Sequence, residues 1–245
     1  LGVQNGRWTL DLDRLIDALT PDTRCLMMNS PNNPTGWTLS AEDRNTLLEH
    51  CRKHGIWIVA DEVYSRLYRH GTTAPSFVDV AEPADRIIVV NSFSKAWAMT
   101  GWRLGWMVAP AELEAPLAML TEFNIAGAPS FVQAAGLSVM KAPEPFVAEQ
   151  SQQLAASYAI VAERLRRMDG VEFVEPDGAF YAFFRLEGLN DSLETAKDIL
   201  RKTKVGLAPG IAFGEQGEGF LRLCYAQPEV VLNRAFDQLE AYFRP

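Results

Sequence analysis

A lysine acts as a nucleophile or proton carrier only where its amine can be deprotonated, and Lys95 stands where that can happen. It follows the apolar run 86–91, with Phe93, Trp97 and Trp102 close by in sequence, so that its amine is partly desolvated. Two earlier apolar runs also lead into polar residues, 25–29 ahead of Asn33 and 56–60 ahead of Asp61. Ligands of open α/β sheets collect at the carboxyl ends of strands, so Asn33, Asp61, and Ser92 with Lys95 point to one shared edge. Geometry alone leaves a plainer reading open, in which they are loop polar groups that cap helices and satisfy backbone. On that reading Asp61 is a strand-end cap, Tyr64 a half-buried aromatic residue and Lys95 a solvated surface lysine. Arg103 offers paired N–H donors suited to a dianion, or to a surface salt bridge. Arg222 interrupts the apolar run 220–225, where a guanidinium needs an anion. Either a structural acid or a bound substrate could supply it.

The elements that must position these residues alternate helix and short apolar strand through the first half, the mark of an α/β sheet. A helix is expected over 12–19, with Asp11 as its cap and Pro21 beyond its end. The run 25–29 ends in Ser30-Pro31-Asn32-Asn33-Pro34-Thr35-Gly36, too rich in turn residues to be anything but a loop. A cis bond is expected at Asn33–Pro34, since only X–Pro bonds reach cis cheaply. Ser40 caps a helix that runs to His54 and stops at Gly55, with Asp43 as a weak variant of the capping box. Strands follow over 56–60, 86–91 and 104–108. Between Lys95 and Arg103 no helix is evident, and a parallel crossover needs a dozen or more residues. The last strand should therefore run antiparallel to its neighbour.

Beyond this the pattern changes. One long helix is expected over 144–168, stopped by Gly170, and then strand, strand (179–185 alternates), helix, strand, helix. This smaller α+β unit sets a domain boundary near residue 147, giving 1–147 and 148–245.

The formal net charge of −8 gives no footprint for nucleic acid or anionic membrane. Any anionic ligand must be held by a few placed cations. Cys25, Cys51 and Cys224 are odd in number and far apart, which argues for a reducing compartment, read as the cytoplasm. No apolar run reaches the roughly 20 residues of a membrane span. His50 and His54 flank Cys51 on a helix, but no third metal ligand is evident, and near a helix end they suit the dipole better. Gly214-Glu215-Gln216-Gly217-Glu218-Gly219 precedes a strand and reads as a turn rather than a dinucleotide fingerprint.

Several motifs carry a family resemblance. Ser30-Pro31-Asn32-Asn33-Pro34-Thr35-Gly36, Asp61-Glu62-Val63-Tyr64, and Ser92-Phe93-Ser94-Lys95 followed by Gly101-Trp102-Arg103 resemble the class I/II pyridoxal-phosphate (PLP)-dependent aminotransferases of PLP fold type I. Ala179-Phe180-Tyr181 and Phe220-Leu221-Arg222-Leu223 fit the same family, and the order and spacing hold over essentially the whole chain. The resemblance implies an incomplete, mainly parallel central sheet with helices on both faces, followed by a smaller α+β domain. It implies that Lys95 carries PLP covalently and serves as base at the substrate's α-carbon. Asp61 resembles the carboxylate that keeps the pyridine nitrogen protonated, so that the ring accepts electrons. Asn33 and Tyr64 resemble the pair on the ring's phenolic oxygen, Ser92 and Arg103 the phosphate ligands. Arg222 resembles the clamp on the substrate's α-carboxylate, and Asn33 is implied as a second substrate-binding residue.

The implied reaction moves an amino group between an amino acid, with aspartate or an aromatic one as candidates, and a 2-oxo acid. Other reactions of the same scaffold, a C–S β-lyase or a synthase, are the near rivals, and Asn33-Pro34-Thr35-Gly36 looks more like the transaminase variant. A more distant rival is the aminotransferase-like effector domain of a transcription regulator. The resemblance also implies a homodimer. It places a glycine-containing phosphate loop and a ring-stacking aromatic residue before the segment equivalent to Leu1, so the chain is expected to be N-terminally truncated and inert alone.

Overall fold

The computed structural model describes residues 1–243. Strands β1 (Gly2–Gln4) and β2 (Arg7–Thr9) form an antiparallel hairpin across Asn5 and Gly6, both at positive φ. Helix α1 (Leu12–Ala18) starts at Asp11, whose side chain accepts from the Arg14 amide. Strand β3 (Cys25–Asn29) leads through the 30–38 loop to α2 (Ala41–His54). There Ser40 accepts from the Asp43 amide, and Gly55 closes the helix in the left-handed conformation, as the sequence requires. Next come β4 (Trp57–Asp61), β5 (Ile87–Ser92), the single turn α3 (Phe93–Ala96), and β6 (Gly105–Val108).

These strands form one sheet in the order β3-β4-β5-β6. The first two pairings are parallel and β5–β6 is antiparallel, as the short Lys95–Arg103 connection demands. Ile58, Ala60, Ile87 and Val89 are buried at alternate positions, and α2 contributes Leu47, Leu48 and Cys51 to the buried set.

Helices α4 (Glu114–Ile125), α5 (Ser130–Lys141) and α6 (Glu144–Arg167) follow. A second sheet is then built from β7 (Val171–Phe173), β8 (Tyr181–Leu186), β9 (Ala208–Pro209) and β10 (Phe220–Cys224), in the order β7-β8-β10-β9 and antiparallel throughout. Helix α7 (Ser192–Thr203) connects β8 to β9, and α8 (Glu229–Phe243) follows β10. On one face of this sheet Ala182, Phe184, Leu186, Leu221 and Leu223 join Leu165, Ile199 and Phe236 in a core. The alternate residues Tyr181, Phe183, Phe220 and Arg222 take the other face.

The chain forms two compact units. The sheet unit comprises Leu10–Pro31 and Thr38–Gln150. The C-terminal unit comprises Ser151–Pro245 together with Leu1–Thr9 and Asn32–Trp37. Among the described residues no helix is long and apolar enough to cross a membrane.

Candidate functional site

In the sheet unit, parallel pairing brings Asn29 and Asp61 to the same edge, since the two are register partners. The Asp61 carbonyl accepts from the Ser30 amide and from the Asn29 side chain, each at 3.1 Å, which fixes the strand end. Its carboxylate accepts from the Val63 amide at 3.3 Å. Burial holds the Asp61 carboxyl above its usual range, against the Val63 amide and the Lys95 charge, which both pull it down. Burial outweighs both.

Lys95 lies on α3, one turn past the end of β5, and is half-buried. Its Nζ stands over the Tyr64 ring, 5.6 Å from the centroid. The aromatic neighbours expected from sequence take other places. Phe93 and Trp97 turn into an apolar cluster with Ala96, Met99 and Val147, and Trp102 is exposed. The ring facing the amine comes from beyond the neighbouring strand, which spacing along the chain does not reveal.

Ser92 caps α3. Its Oγ accepts from the Ser94 amide at 3.0 Å and donates to the Leu104 carbonyl at 3.2 Å. The hydroxyl proton expected for a phosphate is thus engaged with the backbone. Arg103 closes the 3₁₀ turn Thr100–Trp102 at φ 53, and its guanidinium donates to the Thr100 carbonyl at 2.8 Å. It has no carboxylate partner among the described residues. Asn91, missed in the sequence, ties the end of β5 down by accepting from the Ser92 amide (2.9 Å) and donating to Ser65 Oγ (3.3 Å). Glu62 is buried and serves the scaffold, accepting from Ser76 Oγ and the Phe77 amide.

In the C-terminal unit the structure joins Asn33 to Arg222. Arg222 Nη1 donates to Asn33 Oδ1 at 2.8 Å. The Asn33–Pro34 bond is cis, as expected, and Ser30–Pro31 is cis as well. The loop is held by its own polar groups, with Thr35 Oγ1 donating to Asn32 Oδ1 at 2.7 Å and the Gly36 amide to the Asn32 carbonyl at 2.8 Å. Gly36 sits at φ +71. A Cβ there would lie 2.3 Å from Pro176 Cβ and 2.7 Å from the Gly178 carbonyl, so only glycine permits this approach.

Arg222 projects from β10 on the face opposite the core. Its guanidinium lies 4.4 Å from the Tyr181 ring and 4.8 Å from the Phe213 ring. Its Nε is buried with no hydrogen-bond partner among the described residues. No carboxylate pairs with it there either, so of the two anion sources open from the sequence, a structural acid is absent among the described residues. An aromatic-flanked cation with buried N–H to spare is built to receive a carboxylate.

A mostly parallel first sheet covered by helices, followed by an antiparallel second sheet with its own helices, is the architecture of PLP fold type I. The chain belongs to the aminotransferase class I and II family, whose model matches residues 3–239. It is 36% identical over 234 residues to an aspartate aminotransferase of Pyrococcus horikoshii, covering 94% of this chain and 59% of that protein. It is 34% identical over 241 residues to aromatic-amino-acid aminotransferase 2 of Thermococcus litoralis, covering 97% of this chain and 61% of that one. Among solved structures it resembles the aromatic aminotransferase of P. horikoshii, with a TM-score of 0.87 at 33% identity over 96% of this chain and 63% of that chain. For the aspartate aminotransferase of Thermotoga maritima the TM-score is 0.85 at 33% identity, over 95% and 60%. The chain therefore spans about three fifths of the length of the relatives it matches.

Proposed function

We propose that the protein acts as a PLP-dependent aminotransferase, with an amino acid as donor and a 2-oxo acid as acceptor. The observation that carries this reading is the Lys95 amine over the Tyr64 ring, close enough to Asp61 for its charge to act on that half-buried carboxylate. The residues present fit PLP. Asp61 would hold the pyridine nitrogen, where a half-buried carboxylate would face a protonated ring. Tyr64 and Asn33 would hold the phenolic oxygen, Arg103 and Ser92 the phosphate, and Lys95 the aldehyde carbon. Ser92 would have to turn its proton away from Leu104 to donate to phosphate. When bound, PLP supplies an electron sink for the charge that develops as the substrate's α-carbon loses a proton.

The chain's own residues supply the rest. Arg222 binds the α-carboxylate and so orients the Cα–H bond. Asn33 holds the guanidinium edge at 2.8 Å. Lys95 Nζ would take the α-proton and hand it on to the cofactor side rather than back to the α-carbon, a general base placed by α3.

The domain reading is a large domain over 1–147 and a small one over 148–245. Support comes from the compact unit that resumes at Ser151, although Leu1–Thr9 and Asn32–Trp37 cluster with it too. A homodimer in the cytoplasm is part of the proposal. Free cysteines suit that compartment, and the exposed Leu120 and Phe123 of α4 with Phe131 and Leu137 of α5 suit an association surface.

The donors to try are aspartate and aromatic amino acids, which the names of the relatives suggest. The whole protein, loaded with PLP and given L-aspartate or L-phenylalanine with no oxo acid added, should release one equivalent of the matching oxo acid per bound PLP. Release of ammonia or a β-leaving group instead would overturn the aminotransferase reading in favour of a lyase.

A further inference from the structure

We propose that Phe213 is a positioning residue for Arg222, fixing the plane of the guanidinium so that its unused N–H edge meets a substrate carboxylate. The inference rests on the reading of Arg222 as the carboxylate site. Arg222 has an unusual set of restraints for a cation. Among the described residues it makes a single hydrogen bond, to Asn33, and no acid faces it. What remains to set its orientation is the pair of rings, Tyr181 at 4.4 Å and Phe213 at 4.8 Å. Tyr181 belongs to β8 and is held by its register with Cys224. Phe213 does not belong to a strand, so its placement needs its own explanation.

Two features supply it. Phe213 ends the 3₁₀ turn Gly210–Phe213, and the loop carrying it is closed by glycines back to back. A Cβ on Gly210 would lie 1.8 Å from the Gly217 carbonyl, and a Cβ on Gly217 2.2 Å from the Gly210 carbonyl. No other residue pair allows the loop to close this tightly. The ring itself is the end of an aromatic stack. Phe213 meets Phe183 edge-on at 5.8 Å, Phe183 lies flat on Phe220 at 4.8 Å, and Trp8 of the hairpin covers both at 5.9 and 5.6 Å. Such pairs prefer defined angles, so the stack passes rigidity from the sheet to the ring that touches Arg222.

The physical consequence is preorganisation. An arginine left to sample its rotamers loses that freedom when a carboxylate arrives, and binding is weakened accordingly. One already held against two aromatic rings loses less. The ring faces also attract the cation without neutralising it, as an acid would, so its charge remains available to the ligand.

The test compares Phe213→Leu, which keeps an apolar side chain but removes the π face, with Phe213→Tyr, which keeps that face. On PLP-loaded protein, calorimetry should follow succinate and 3-phenylpropionate, carboxylates with no amine to react. Phe213→Leu should weaken both by about fivefold or more and raise KM for donor and acceptor alike, with kcat changed less than about twofold. Phe213→Tyr should restore all four values. Arg222→Ala is run beside them. If it weakens carboxylate binding while Phe213→Leu binds like the parent, the positioning role is wrong and the carboxylate reading of Arg222 stands. If Arg222→Ala binds both probes as the parent does, the Arg222 reading fails and this inference with it. A loss of kcat with KM unchanged in Phe213→Leu would also overturn the proposal. Should Phe213→Leu not fold, Phe213→Met carries the same comparison.

Discussion

Two acids stand side by side in the sequence, half-buried Asp61 and buried Glu62, and their surroundings separate their uses. Glu62 is satisfied within the scaffold by Ser76 and Phe77, yet burial still holds its carboxyl above the usual range. An acid whose folded pKa is raised keeps more protons in the native than in the unfolded state. Stability from Glu62 is therefore fullest at low pH and declines as pH rises from the unfolded pKa of about 4.5 through the folded value. Urea midpoints between pH 4.5 and 7 should fall less steeply for Glu62→Gln than for the parent protein, and parallel slopes would show that Glu62 does not titrate this way. Cys51 is the thiol counterpart, pushed up to about 11 by burial and then by Cys25. Iodoacetamide at pH 8 should label exposed Cys25 in the folded protein and reach Cys51 only in urea, read by peptide mass. Lys95, Asp61 and Arg222 were legible in the sequence because each stands at or within an apolar run where a polar group needs a reason. The partners that give them their character were not. Tyr64 as the ring over Lys95, and Tyr181 and Phe213 around Arg222, meet them only through strand pairing and loop closure.

At the scale of elements, the sequence was most readable where a terminus has a chemical signature. Asp11, Ser40 and Gly55 do what their types dictate, and the short link after Lys95 forced the antiparallel β5–β6 pairing. The β1–β2 hairpin escaped, although Asn5-Gly6, both at positive φ, is the turn pair that signals it. Helices α4 and α5 escaped for a different reason. Their apolar residues are spread around the helix and many stay exposed, so no single buried stripe marks them. The Asn33 loop shows how one residue controls an element. Gly36→Ala would press a methyl group into Pro176 and the Gly178 carbonyl at a φ that alanine resists, and should cost about 2–4 kcal/mol. Thermal unfolding measures that cost. Because Asn33 rides on this loop, the carboxylate affinity proposed for Arg222 should fall as well, and a Gly36→Ala protein of parental stability would refute the clash.

At the scale of the molecule, the exposed apolar surface of α4 and α5 is the feature a lone unit explains least, with Phe123 at 84% exposure. If it is the dimer surface, Phe123→Asp should shift sedimentation from dimer toward monomer. An active parent protein that sediments as a monomer would end the dimer reading. Family and fold rest on the match over residues 3–239 and on the likeness to the aminotransferases of P. horikoshii and T. maritima, whereas the proposed activity rests on the lysine. The most direct measurement is therefore borohydride reduction of the PLP-loaded protein, followed by digestion and mass spectrometry. PLP should be fixed to the peptide carrying Lys95, and Lys95→Ala should show neither that adduct nor the visible absorbance of bound cofactor. Recovery of the reduced adduct on another lysine, or its persistence in Lys95→Ala, would contradict the assignment of Lys95.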